Sequence, residues 1–329
     1  MNRRTLLSSA FLAAALALPS FAQEAKPATP ETPAKASGKT VRLLNIGNSF
    51  SGNATRYLKD LVKAGGHILI HRQASIGGSS MQVHWDKAML AEKNSADPAG
   101  LYGTKLNLSQ ELQKEPWDYV TIQQASIKSH DLATYQPYAG QLAKYVKKHA
   151  PKAQLLVHET WAYRVDDPRF AVKEPKAGEP RTQDEMYDML SKAYRTISAE
   201  LKAPIIPTGD AFKIVASDAK WAFVPDKAFD SKAAKNPELP VQKNSLHTGW
   251  NWKKQKDGKI TLGMDGHHAN AAGQYLGGCV FYEILFKESV VGNSFIPKEI
   301  DPEFARYLQT VAHQAVEANL AREKGARSE

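Results

Sequence analysis

Short apolar runs alternate with helix-period segments along this chain, and that alternation constrains its fold more than any other feature. Val41-Arg42-Leu43-Leu44-Asn45-Ile46 is an apolar run ended by Gly47, and residues 53–64 then set Tyr57, Leu58, Leu61 and Val62 on one helical face before Gly65-Gly66. His67 to Gln73 reads as a second strand, Ile76-Gly77-Gly78-Ser79-Ser80 as a loop and Met81 to Leu90 as a helix. Asp118 to Gln123 is a third strand. Tyr135 to His149 carries a stripe of Tyr138, Leu142, Tyr145 and Val146 that stops at Pro151, and Gln154 to Glu159 follows as a fourth strand. Thr182 and Glu185 read as a capping box opening a helix through Ile197, because each side chain can satisfy the other's exposed backbone N–H. Pro204 to Pro207 is a short fifth strand, Ala269 to Phe286 a helix, and Asp301-Pro302-Glu303 the start of a last helix. Strands spaced by helices predict an α/β domain whose parallel sheet is covered on both faces.

In such sheets ligands sit beyond the carboxyl ends of the strands, so the loops after Ile46, Gln73, Gln123 and Glu159 are where chemistry is expected. The folded domain is expected over residues 40–321. Before it, residues 1–22 read as a signal peptide, with a basic start at Arg3-Arg4, an apolar stretch from Leu6 to Leu18 and small residues at Ser20-Phe21-Ala22. The general secretory route is favoured over the twin-arginine route, which places the protein in the periplasm or outside the cell. Residues 23–39, rich in Pro, Ala, Thr and Lys, read as a disordered tether, and residues 322–329 as a polar tail. No stretch reaches the ~20 apolar residues of a membrane span. The formal charge of +9 falls to +7 once Arg3 and Arg4 leave with the signal. Residues 220–259, with nine Lys and four acids, hold five of those charges and read as a basic surface insertion. No nucleic-acid-binding motif accompanies the charge. Cys279 is the single cysteine, which excludes an intramolecular disulfide framework, and it reads as a core residue.

Two segments carry candidate chemistry. Gly47-Asn48-Ser49-Phe50 lies on the turn between the first strand and its helix, where a serine hydroxyl is exposed beside free backbone N–H groups. Asp265-Gly266-His267-His268 supplies a base and a carboxylate to orient it, as a serine nucleophile requires. His268, three residues from Asp265, is preferred to His267 as base, and Ser49 to Ser51 as nucleophile; Ser49 as a mere helix cap is the bland alternative. Gly292-Asn293-Ser294-Phe295 repeats the letters, yet Ile296-Pro297 follows where a helix must begin. His158-Glu159-Thr160-Trp161-Ala162 lacks the second histidine of a zinc-protease helix, so no metal site is expected from it. Trp161, Tyr163, Trp250 and Trp252 fall on loops where they could stack on a sugar or simply pack. Arg164 reads as a solvated loop residue with an anion site as alternative.

With LLNIGNSF, the Ala74-Ser75-Ile76-Gly77-Gly78 loop and MDGHHANAAGQYL in this order, the chain from Thr40 to Phe286 resembles the SGNH (GDSL-type) hydrolase superfamily, in particular a branch of secreted bacterial proteins whose first block reads GNSF. The resemblance implies a three-layer α/β/α sandwich around about five parallel strands, flavodoxin-like, and a serine esterase that needs no cofactor and no metal. It implies Ser49 as nucleophile, His268 as general base and Asp265 as its orienting carboxylate. The oxyanion hole takes the backbone N–H of Ser49 and of Gly78 or Gly77. The family's third donor, an Asn after the third strand, is missing. Gln123-Gln124-Ala125-Ser126 stands in its place, so a glutamine amide, Gln124 before Gln123, is the expected substitute. The implied substrate is a small-molecule or carbohydrate ester, with O-acyl groups on a sugar favoured by analogy. A lipase or thioesterase of the same fold, or an inactive glycan-binding domain, are the alternatives.

Overall fold

The computed structural model describes residues 38–328. The signal-peptide reading and nearly all of the tether lie outside them. Strands β1 (Thr40–Gly47), β2 (Ile68–Ser75), β3 (Tyr119–Ile122), β4 (Gln154–His158) and β5 (Ile205–Ile206) form one sheet in the order β2-β1-β3-β4-β5, and every pairing is parallel. This is a doubly wound, flavodoxin-like order, and the chain reverses its direction of winding at β1/β3. β1 is buried from Leu43 to Gly47, so its sequence reads as an apolar run without alternation.

Helices α1 (Ser49–Ala54) and α2 (Leu58–Ala64) lead from β1 to β2, and α3 (Met81–Lys93) and α4 (Leu108–Gln113) from β2 to β3. Then come α5 (Tyr138–His149), α6 (Gln183–Leu201), α7 (Thr208–Ala216), α8 (Ala271–Phe286) and α9 (Pro302–Ser328). Helices α3, α5 and α6 pack along one face, and α1 and α2 pack against α8 on the other, which completes the three-layer sandwich. Helix α8 is apolar all round and is buried between α1, α2, α7 and α9, as a helix without a polar face must be. Cys279 lies in it, fully buried.

Several local expectations change. Thr182 caps α6 by accepting the N–H of Glu185, but the Glu185 carboxylate accepts from Arg181 N instead of closing the box on Thr182. Helix α9 does not stop at Ala321; it runs on to Ser328, and Arg322 pairs with Asp210. The basic segment is not loop throughout. Its end forms β6 (His247–Lys254), which pairs antiparallel with β7 (Ile260–Ala269) in a separate two-stranded sheet. Gly263, Gly266 and the lysines interrupt the period-2 pattern that would have revealed these strands.

Candidate active site

Ser49 stands two residues beyond the carboxyl end of β1, at the first turn of α1. Asn48, and not Ser49, is the helix cap: its side-chain oxygen accepts from Phe50 N at 2.9 Å. The serine hydroxyl is therefore free for another partner. Gly47 permits the turn, because a Cβ there would collide with Ser51 Oγ and lie 2.9 Å from Gln123 Cγ. Ser51 is buried and bonds to Gln123 Oε1, which removes it as a rival nucleophile.

Asp265 and His268 come from the hairpin. In a regular strand residues three apart face opposite sides, so the pair requires a distortion. The register supplies it: His247 pairs with Ala269 and Gly249 with Asp265, so Thr248 alone opposes Gly266, His267 and His268. This bulge in β7 swings His268 back over Asp265. His268 Nδ1 lies 3.1 Å from Asp265 Oδ2 and its Nε2 2.9 Å from Ser49 Oγ. His268 N also donates to Asp265 Oδ1 at 3.0 Å.

The bulged backbone is tied down from four directions. Arg164 N donates to Gly266 O at 2.7 Å, Trp161 Nε1 to His267 O at 2.9 Å and Thr248 Oγ1 to His268 O at 3.2 Å, while Ala269 N donates to Asn53 Oδ1 of α1 at 3.0 Å. Burial would raise the Asp265 carboxyl, but the bonds from the His268 ring and backbone, with the two imidazoles nearby, outweigh it and hold the acid well below the ordinary carboxylate range. Lys253 Nζ, 3.5 Å from Oδ2, adds a further cation. His267 Nδ1 is 3.3 Å from Asp265 Oδ1, and its ring lies beside that of His268 with no bond to Ser49.

The loop after β2 is locked against β1. Asn48 Nδ2 donates to Ser79 O at 2.9 Å, Ile76 N to Gly47 O at 3.1 Å, and Ser79 Oγ meets His84 Nε2 at 2.8 Å, with Tyr102 OH on the other nitrogen at 2.9 Å. Burial pushes the His84 imidazole down to about 4, so it is neutral at physiological pH. Gly78 adopts φ +67°, which a glycine takes without strain. Among the described residues no acceptor takes the N–H of Ser49, Gly77 or Gly78.

The glutamine expectation does not hold. Gln124 is fully buried, and its amide donates to Thr134 O at 2.8 Å while its oxygen accepts from Met81 N. Gln123 donates to Asn48 Oδ1 at 2.8 Å and to Gln124 O at 3.3 Å. Both amides brace the loops and have no hydrogen left for a substrate. Trp161 is likewise no stacking platform: it is fully buried between Phe50, at 4.5 Å between ring centres, and Phe212, at 4.6 Å. Tyr163 is buried with its hydroxyl on Ser126 Oγ. Trp250 and Trp252 are half-buried on β6, held by Phe229 and by Glu238 O. Arg164 proves not to be solvated. It is 1% exposed and bonds to Asp166, Gln242 and Ser245 with Phe223 across its guanidinium. His247, fully buried, meets Ala162 O at 2.9 Å.

Residues 42–219 match the family described as domain of unknown function DUF4886, more than half of the chain. The chain belongs to the DUF4886 family. A crystal structure of a DUF4886 family protein from Bacteroides uniformis shares its fold, with a TM-score of 0.62 and 23% identity over 84% of this chain and 95% of that one. This DUF4886 chain is also similar to a candidate SGNH hydrolase from Slackia heliotrinireducens, at a TM-score of 0.44 and 20% identity over 74% of this chain and 98% of that one. A phospholipase A1 from Streptomyces albidoflavus matches at a TM-score of 0.38 and 14% identity over 77% and 99% of the two chains. No curated protein matches the DUF4886 chain in sequence.

Proposed function

We propose that this protein is a serine esterase of the SGNH type. The observation that carries the reading is the Ser49–His268–Asp265 chain of contacts, 2.9 Å and 3.1 Å long, at the carboxyl end of a parallel sheet. His268 Nε2 takes the Ser49 proton as the hydroxyl attacks the ester carbonyl, and Asp265 holds the Nδ1–H tautomer and stabilises the imidazolium. The acyl-enzyme then yields to water activated by the same histidine. The free N–H of Ser49 and that of Gly78 or Gly77 receive the oxyanion, each such donor worth ~3 kcal/mol of barrier. The substrate we favour is an O-acyl group, acetyl above all, on a carbohydrate. The half-buried Trp250 and Trp252 on the strand paired with the Asp265 strand support the sugar side of that reading, whereas Trp161 and Tyr163 are too buried to contribute. Residues 1–22 then direct the enzyme to the periplasm or beyond.

Turnover of p-nitrophenyl acetate and of an acetylated oligosaccharide by the purified protein tests this. Ser49→Ala is expected to lower kcat by about a thousandfold or more with the fold retained. Turnover that survives Ser49→Ala sinks the nucleophile assignment. Preference for long-chain over acetyl esters would move the substrate to lipids, and binding of glycans without turnover would point to a lectin-like role.

A further inference from the structure

The bulge that serves the triad also gathers a second chemistry. Asp265, His267 and His268 bring one carboxylate and two imidazoles, the ligand types of zinc-class metals, to within 4.8 Å of one another. Both ring Nδ1 atoms turn to the same carboxylate, His267 at 3.3 Å and His268 at 3.2 Å from Oδ1. Ligand atoms bound at about 2.0–2.1 Å around one tetrahedral ion stand about 3.3 Å apart, so both nitrogen–carboxylate separations suit a shared metal. The imidazoles are 38% and 35% exposed, which leaves an approach from solvent. The sequence concealed this set, since it holds no spaced histidine motif and its two histidines are adjacent.

We propose that Asp265, His267 and His268 form a site for a divalent transition-metal ion of the zinc class, and that the bound ion inhibits the enzyme. The inhibition rests on the serine-esterase reading above; the binding does not. In the resting triad the His268 proton sits on Nδ1 and leaves the Nε2 lone pair for the Ser49 hydroxyl. A metal bonded at Nδ1 obliges the neutral ring to carry its proton on Nε2. The proton leaves Nδ1 for solvent and one is taken up at Nε2, so the count is unchanged, but the base facing Ser49 has become a donor. The ion also draws the Asp265 charge to itself. Lys253 opposes the ion electrostatically, and its 53% exposed side chain is free to swing away.

Calorimetric titration of ZnCl2 into Ser49→Ala protein, with the visible absorption of bound cobalt(II) as a second readout, measures binding without activity. One ion per chain is expected. His267→Ala and His267→Gln are each expected to weaken it at least about tenfold, and Lys253→Met to tighten it, with thermal melts verifying that the variants fold. In the wild type, zinc is expected to block p-nitrophenyl acetate turnover at the concentration that fills the site, and the His267 variants to shift both by the same factor. Absence of saturable one-to-one binding, or binding indifferent to both His267 variants, overturns the site. Binding with undiminished turnover overturns the inhibition. A wild type without turnover counts against the esterase reading and against inhibition with it, while the calorimetry still decides the site.

Discussion

At the scale of single residues, position within the bulge decides what each side chain does. His267 and His268 are chemically identical neighbours, yet only the second reaches Ser49, because the two residues β7 carries in excess rotate one ring toward α1 and leave the other outside. The position of Ser49 was legible because its letters sit where a strand ends and a helix begins, whereas Asp265 and His268 were singled out by residue type and spacing, inside a strand that did not read as one. The glutamine donors were misread for a physical reason: position at a strand's end does not say where an amide points, and Gln123 and Gln124 are consumed by Asn48 and Thr134. Asp265 yields a pH prediction with a defined sign. Its folded carboxyl is held below its unfolded value, so its stabilising contribution is present above the unfolded pKa of ~4 and fades as pH falls toward the folded one. Melting curves of wild type and Asp265→Asn are therefore expected to differ most near neutral pH and to converge below about pH 4. A gap that persists unchanged into acid would contradict this account of the carboxylate.

At the scale of elements, the parallel sheet was readable and the hairpin was not. Strands β1, β3 and β4 are buried on both faces and write themselves as apolar runs, whereas β6 sets Trp250 and Trp252 beside Asn251, Lys253 and Lys254, β7 is broken by Gly263 and Gly266, and their neighbours, not their own sequence, hold them extended. Arg164 is the clearest of those neighbours. Its side chain gathers Asp166, Gln242, Ser245 and Phe223 while its backbone N–H holds Gly266, so the loop after β4, the basic segment and the bulge meet on one residue. Its removal strips hydrogen bonds from Gln242 and the buried Ser245, a loss of about 1–3 kcal/mol, while the partly exposed Asp166 is left in contact with water. Arg164→Met is expected to lose that much in urea unfolding, and to quicken amide exchange in β6 and β7 more than in β1. Equal acceleration in both sheets would show that Arg164 supports the whole domain instead of the hairpin.

At the scale of the molecule, charge is arranged unevenly. The five excess positive charges of residues 220–259 are divided between the hairpin, where Lys253 faces Asp265, and the segment before it, where Lys220 pairs with Glu303 of α9. A balanced group lies beneath α6, where Arg195 stands between Glu159 and Asp210 and Asp210 also takes Arg322. Complete burial, and next the Asp210 charge, push the Glu159 carboxyl upward, and Arg195 only partly offsets them. Because the folded pKa lies above the unfolded one, stability is highest below the unfolded value of ~4.3 and declines as pH rises toward the folded one. Glu159→Gln, neutral throughout, is expected to melt progressively higher than wild type as pH increases from about 5 to 8; a constant difference over that range would refute the assignment. Ser49, His268 and Asp265 are divided between two sheets. Ser49 follows a strand of the parallel sheet, but His268 stands on an arm outside that sheet, tied to the rest by bonds such as Arg164 N to Gly266 O, Trp161 Nε1 to His267 O and Ala269 N to Asn53 Oδ1. Local opening of such an arm is expected to cost less than melting the core, so the Ser49–His268 contact is expected to be the first part of the site lost on heating.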